Sequence, residues 1–320
     1  MAASIAAGYS DLHAKGYIMD VFADAVQTLL YAETCLPKIT ESGYLGKIKD
    51  KGQTITIARQ PEIESGKYDR GMVTPINTKV SDPLTLKVDR ARYWNQFWDR
   101  LDLHQTHIRM LQPETARAAA SRLAEDIERE FFAEFATFAD ASNVGATAGK
   151  QSGAYNLGTA ENPVGVKADT IIPYLTQFVS VLGEQNVGPA EGPKAVVIPE
   201  MFRWYLINSA QLSDASKIGS ASTYKTNKVT NVGGLDIYTS TLLEPFVVSG
   251  HVTFPIMACA KKAINYVVAL NEVEVVKPYN MHGSLSKGLV LYDWGNVRSE
   301  GVSVGYAYGN DTTLITGASS

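Results

Sequence analysis

A chain of 320 residues, 45% hydrophobic and 19% charged, is long and apolar enough to bury a sizeable core, which excludes wholesale disorder. Its formal net charge of −4 argues against a protein that grips nucleic acid through clustered lysine and arginine, though not against a wall that merely encloses it. Cys35 and Cys259 are too few for a disulfide framework or a zinc site and read as buried thiols; with no secretory leader and no membrane span in the sequence, a cytosolic protein is expected.

Residues 1–18 are small, polar and weakly patterned, and read as an arm ordered by a neighbour. A helix is expected over Asp20–Leu36, with Val21, Ala25, Leu29 and Ala32 on one face and Pro37 ending it. From Gly43 to Pro83 glycine and proline punctuate the chain around the alternating Thr54-Ile55-Thr56-Ile57. Such a segment cannot build a core, and it reads as an extended hairpin whose partner is another chain. Lys87–Gln105 follows as an aromatic patch among arginine and aspartate, including Arg90, Arg92, Tyr93, Trp94, Phe97, Trp98 and Arg100. This mix suits surfaces that bury aromatic anchors inside charged rims.

Pro113 and Glu114 open a long helix predicted to run to Phe138, with Ala116, Ala119, Ala120, Leu123, Ile127, Phe131 and Phe135 as its apolar stripe. Ser142–Lys167 reads as a mobile connector. Asp169 is expected to cap a helix to Leu182, Lys194–Pro199 to form a buried strand, Pro199 to start another helix, and Gly234–Ser240 to form a strand. Ala263–Val268, Glu272–Pro278 and Gly288–Tyr292 are predicted strands that return to lie against the long helix, so that two domains interleave. The fold class is α+β.

Sharper chemical readings find little support. His104 and His107 lack a third metal ligand at useful spacing. Ser284 with Lys287, and Ser222 with Lys225, match a serine–lysine spacing without its companion motifs. The acidic run Glu125–Glu130 spreads around a helix and reads as a solvated face rather than a catalytic pair. No catalytic, cofactor or metal residue is assigned.

Laid out in order, Asp89, Ala91, Tyr93, Phe97, Asp99 and Asp102 before the helix at Pro113, then Val196–Phe202, Gly234–Ser240 and Lys287–Gly295, the chain resembles the major capsid proteins of tailed bacteriophages of the Hong Kong 97 type. The resemblance spans about residues 45–310 and is to the coat-protein branch without an inserted extra domain. It implies an N-terminal arm and helix (1–42), an extended loop (43–84), a peripheral domain (85–165, spine helix 113–139), an axial domain (166–254) and return strands with the C-terminus (255–320). It further implies a shell subunit assembled in a host bacterial cytoplasm and located in the virion capsid. Its partners would be copies of itself as hexamers and pentamers, a separate scaffolding protein, a portal and, in some cases, a cement protein. It would enclose double-stranded DNA without sequence-specific binding, use no cofactor and meet no membrane. On this reading Ile55, Ile57, Tyr68 and Arg70 of the loop and Arg92, Trp94, Trp98 and Arg100 of the patch are intersubunit contact candidates. The alternatives are an encapsulin-like nanocompartment shell and a cytosolic α/β enzyme housed in residues 166–254.

Overall fold

The structure, a computed structural model, describes residues 35–42, 54–57, 65–73, 83–100, 112–188, 191–209 and 229–310. The arm, all but the end of the helix expected over 20–36, and the residues His104, His107, Ser222 and Lys225 lie outside the described residues. Elements in chain order are α1 (Leu36–Ile39), β1 (Thr54–Ile57), β2 (Leu84–Lys87), β3 (Arg90–Asp99), α2 (Gln112–Phe135), β4 (Val164–Val166), α3 (Ile171–Glu184), β5 (Lys194–Ile198) and α4 (Glu200–Asn208). Then come β6 (Val229–Val232), β7 (Leu235–Thr239), β8 (Phe246–Val248), β9 (His251–Ala260), β10 (Ile264–Val276), β11 (Gly283–Asn296) and β12 (Val302–Gly309).

Among the described residues three sheets result. β1 and β2 form an antiparallel ribbon, β10, β11 and β3 form a three-stranded antiparallel sheet, and seven strands run in the order β4-β12-β9-β5-β7-β6 with β8 paired to β9. The chain passes from β9 into β10 through one short turn at Lys261–Ala263, and from β11 into β12 through another at Ser299–Gly301. The last third therefore serves both larger sheets: β10 and β11 return to β3 as expected, whereas β9 and β12 join β5 and β7. The two runs predicted at Ala263–Val268 and Glu272–Pro278 are one strand, β10, with a register shift between Leu270 and Glu272. A bulge of this kind bends a strand without ending its pairing.

The helix α2 would be about 36 Å long at 1.5 Å per residue. It buries Leu123, Ala124, Ile127, Phe131, Phe132 and Phe135. Phe131 meets Phe135 and Trp294 edge-on at centroid distances of 5.6 and 5.4 Å, an arrangement the ring quadrupoles favour. On the other side of the core α3 buries Ile171, Tyr174, Leu175, Phe178, Val181 and Leu182. It lies close to β12 because that strand carries Gly305, where a β-carbon would stand 2.6 Å from the Tyr174 hydroxyl and 2.7 Å from the Phe178 ring.

Three local expectations are corrected. Pro37 does not end a helix; it occupies the first turn of α1, where a missing N–H costs nothing. Asp169 does not cap α3: Thr170 precedes the helix, and its hydroxyl accepts the Lys167 N–H at 2.9 Å, fixing the turn before it. The stretch 142–167 is not a mobile connector. Asn143, fully buried, donates to the carbonyls of Glu300 and Val302 at 2.9 Å each, Gln185 donates to Ser142 and Asn143, Leu157 is fully buried, and β4 pairs with β12. Its glycines signal turns rather than freedom: Gly158 has φ +82°, and a β-carbon there would lie 2.3 Å from the Tyr306 carbonyl.

Candidate functional site

The aromatic patch is a strand, β3, and strand alternation sorts its side chains between two faces. Arg90, Arg92 and Trp94 share the face toward α2, while Tyr93, between them, is 76% exposed. On α2, Asp126, Glu130 and Glu134 recur every fourth residue and form one ridge. Four helical residues advance about 6 Å and two strand residues about 6.6 Å, so the two charge ladders mesh.

Arg90 sits at the centre. Its two terminal nitrogens donate to both Glu134 carboxylate oxygens at 2.8 Å, and one of them also donates to Glu130 at 2.9 Å. Its Nε lies 3.3 Å from Asp293, and the guanidinium stacks 4.2 Å above the Trp294 ring. The Trp294 indole N–H donates to Glu134 at 3.0 Å. Arg92 donates to Glu130 at 3.1 Å and to the Tyr292 hydroxyl at 3.1 Å, and lies 3.4 Å from Asp126. The Tyr292 hydroxyl in turn donates to Glu130. A planar fork facing a carboxylate is the geometry only arginine supplies.

The electrostatics follow from these bonds. The fork to Glu134 raises the Arg90 pKa, and the same bonds hold Glu134 below the usual carboxylate range despite partial burial. Burial works against ionised Glu130, but donation from Tyr292, Arg92 and Arg90 outweighs it and the net shift is downward. Burial, reinforced by the neighbouring Glu130, pushes the Tyr292 phenol up to about 12. The charges pair with other groups of the same chain, so the arrangement fastens α2 to the three-stranded sheet.

The predicted contact residues divide. Arg92 belongs to this network. Trp94 is half-buried and lies against Gly288, where a β-carbon would come within 2.2 Å of the indole nitrogen. Trp98 is half-buried near the end of β3, and exposed Arg100 uses its backbone N–H to donate to the His282 carbonyl at 3.0 Å. Ile55 and Ile57 pair with Leu86 and Leu84 in the ribbon; their side chains lie outside the described residues. Tyr68 and Arg70 are exposed beside a tight turn closed by the Met72 N–H donating to the Asp69 carbonyl at 3.0 Å. Met72 and Val73, on the same turn, are exposed too.

Other candidates change character. Ser284 and Lys287 stand three apart on β11 and so point to opposite faces; Lys287 is 2.8 Å from Glu274 across the strand pair. The run Glu125–Glu130 is not a uniformly solvated face, because Glu128 is only 4% exposed. Among the described residues no group of three or more His, Cys, Asp or Glu could hold a metal, and no helix is long and apolar enough to cross a membrane. Arg90, Glu130, Glu134 and Trp294 escaped sequence reading as a group. The signal present was their spacing, two apart on one segment and four apart on another, which gains meaning only once the segments are known to touch.

No protein-family model and no curated protein matches the sequence. Solved structures do. The chain is similar to one from Mycobacterium phage Che8, with a TM-score of 0.61 and 19% identity, covering 85% of this chain and 90% of that one. It is similar to a chain of the capsid of the cyanophage P-SCSP1u, with a TM-score of 0.58 and 14% identity, covering 84% and 85%. A capsid chain of a native GTA particle gives 0.56 and 12% identity, covering 86% and 89%. The chain thus has the fold of phage capsid chains, as the resemblance implied.

Proposed function

We propose that this chain is the major capsid protein of a tailed phage, a subunit that assembles with copies of itself into an icosahedral shell around double-stranded DNA. The observation that carries the proposal is the likeness in fold to phage capsid chains over at least 84% of its length. The charge network supports it. A shell subunit needs a rigid body, and here the polar side chains between helix and sheet lock onto each other instead of converging on a substrate. Large apolar side chains are meanwhile left facing outward, among them Tyr68, Val73, Tyr93 and Tyr279. Such side chains suit edges that meet other copies.

On this reading the work is interfacial. Each copy adds modest contacts to several neighbours, and the number of simultaneous contacts gives the particle its stability. Hexamers and pentamers, a separate scaffolding protein, a portal and a cement protein belong to the proposal as expected partners. So does the division into arm, loop, peripheral and axial domains, and so do Ile55, Ile57, Tyr68, Arg70, Arg92, Trp94, Trp98 and Arg100 as contact residues.

Electron microscopy of the purified chain, alone and co-expressed with its scaffolding protein, tests it. Closed icosahedral particles containing genomic DNA after infection are expected. A packaged enzyme inside the particle would move the chain to the nanocompartment class, and a small soluble oligomer that forms no particle under either condition would overturn the reading.

A further inference from the structure

Glu128 points away from the charge network and into the core. Its carboxylate accepts the backbone N–H of Cys35 at 3.0 Å, the Cys35 thiol at 2.9 Å and the Ser240 hydroxyl at 3.0 Å. These donors come from the segment before α1 and from the turn after β7, while Glu128 belongs to α2, so one carboxylate joins three parts of the fold. The strap of residues 35–42 is otherwise deeply seated. Leu36 and Ile39 are fully buried, Cys259 donates its thiol to the Ile39 carbonyl at 3.4 Å, and Glu41 pairs with β10 through bonds to Ile264 and Tyr266 of 2.9 and 3.0 Å. Ser240 is anchored in turn: its N–H donates to the Ile198 carbonyl at the end of β5, and its hydroxyl accepts the Leu242 N–H.

We propose that residues 35–42 form a strap latched by Glu128, and that the seating of this strap sets how firmly α2 is joined to the seven-stranded sheet. Burial and the adjacent Glu128 charge raise the Cys35 pKa well above the ordinary thiol range, so the sulfur keeps its proton and remains a donor. A carboxylate is the only side chain of this size that can accept on both oxygens at once. Glutamine would turn its NH2 group toward one of the three donors. A buried donor stripped of its acceptor is costly, so the strap should lift where the latch fails. The inference stands apart from the shell proposal, because the bonds lie within one chain.

The two cysteines report on it directly, since Cys35 is in the latch and Cys259 lies behind the strap. The experiment compares the full chain with Glu128→Gln and with Leu182→Ala, a remote core variant matched for loss of thermal stability. Labelling of native protein by a thiol reagent is followed at both cysteines, together with amide exchange over 127–135 and 238–243. The strap predicts that E128Q speeds Cys35 labelling at least about tenfold, the factor that one lost hydrogen bond of about 1.4 kcal/mol would give. Cys259 should follow, and exchange should rise in both segments while α3 stays protected. Should E128Q not accumulate as soluble protein, Ser240→Ala removes a single donor and should speed labelling about threefold. Labelling no faster than in the matched control overturns the latch. Faster labelling with unchanged exchange at 127–135 and 238–243 overturns the role of the strap as a joint.

Discussion

Replacing Arg90 by alanine removes three charge-assisted hydrogen bonds of 2.8, 2.8 and 2.9 Å and the guanidinium stacked 4.2 Å from Trp294. Fully buried, each such bond would contribute about 1.5–3 kcal/mol. The side chains of Arg90 and Glu134 are 30% and 39% exposed, so water screens the pair and rehydrates the survivors. That reduces each bond to about 0.5–1 kcal/mol. Adding about 0.5–1 kcal/mol for the cation over the ring gives about 2–4 kcal/mol in total. Lysine keeps the charge but cannot present a fork, so R90K should lose about 1–2 kcal/mol. For a chain of this length, an unfolding entropy of about 2.1 cal/mol/K per residue translates 1 kcal/mol into about 1.5 °C. Thermal unfolding of the unassembled subunit should therefore show R90A about 3–6 °C below wild type, with R90K between them. A double-mutant cycle with Glu134→Ala should return a coupling of about 1 kcal/mol or more. An R90A variant within 0.5 kcal/mol of wild type, by the same conversion, or an R90K variant identical to wild type, would refute the reasoning.

The same network fixes an acid response. Glu134 and Glu130 have folded pKa values below the ordinary carboxylate range, so their contribution is complete above that range and fades as pH falls through the lowered values. Stability measured from pH 6 downward should fall less steeply in R90A than in wild type, and parallel curves would contradict the assignment. Gly305→Ala should destabilise by about 1–3 kcal/mol, because its β-carbon would meet the Leu157 carbonyl at 2.7 Å as well as Tyr174 and Phe178. Gly183→Ala, in α3 with open space around it, should raise the melting temperature by about 1 °C through lower unfolded-state entropy. Charge reversal at Arg70 or Arg100 should impair particle formation while leaving the unassembled subunit's melting temperature unchanged. Normal particles from both variants, seen by electron microscopy, would remove these two from the contact surface.

Much of the architecture was legible along the chain because local periodicity encodes it. The apolar residues 123, 127, 131 and 135 recur at helical spacing and fill the buried side of α2. Ala195–Ile198, after Lys194, is an unbroken apolar run, and it became the buried part of a strand. Turn-forming residues were legible as well, but their meaning was not. Ser142–Lys167 reads as loose because it is rich in glycine, alanine and serine, yet Asn143 and Gln185 fasten it to elements more than forty residues away. No local window contains that information.

What the sequence determined by itself was the inventory: a long amphipathic helix, an aromatic strand segment, a glycine-punctuated ribbon, late β-branched strands, and their order. The tertiary structure decided how those pieces spend their polar groups. Arg92 and Trp94 sit next but one to each other in the aromatic segment, and only the pairing of β3 with β11 sets what they meet: Arg92 reaches Glu130 of α2 and Tyr292, and Trp94 lies against Gly288. Glu128 sits in a run of acids that should face water, and the three donors that keep it buried arrive from Cys35 and Ser240. Charge and hydrogen-bond partners are fixed by proximity in space. A one-dimensional pattern records which residues are able to pair, and only the packed chain selects which of them do.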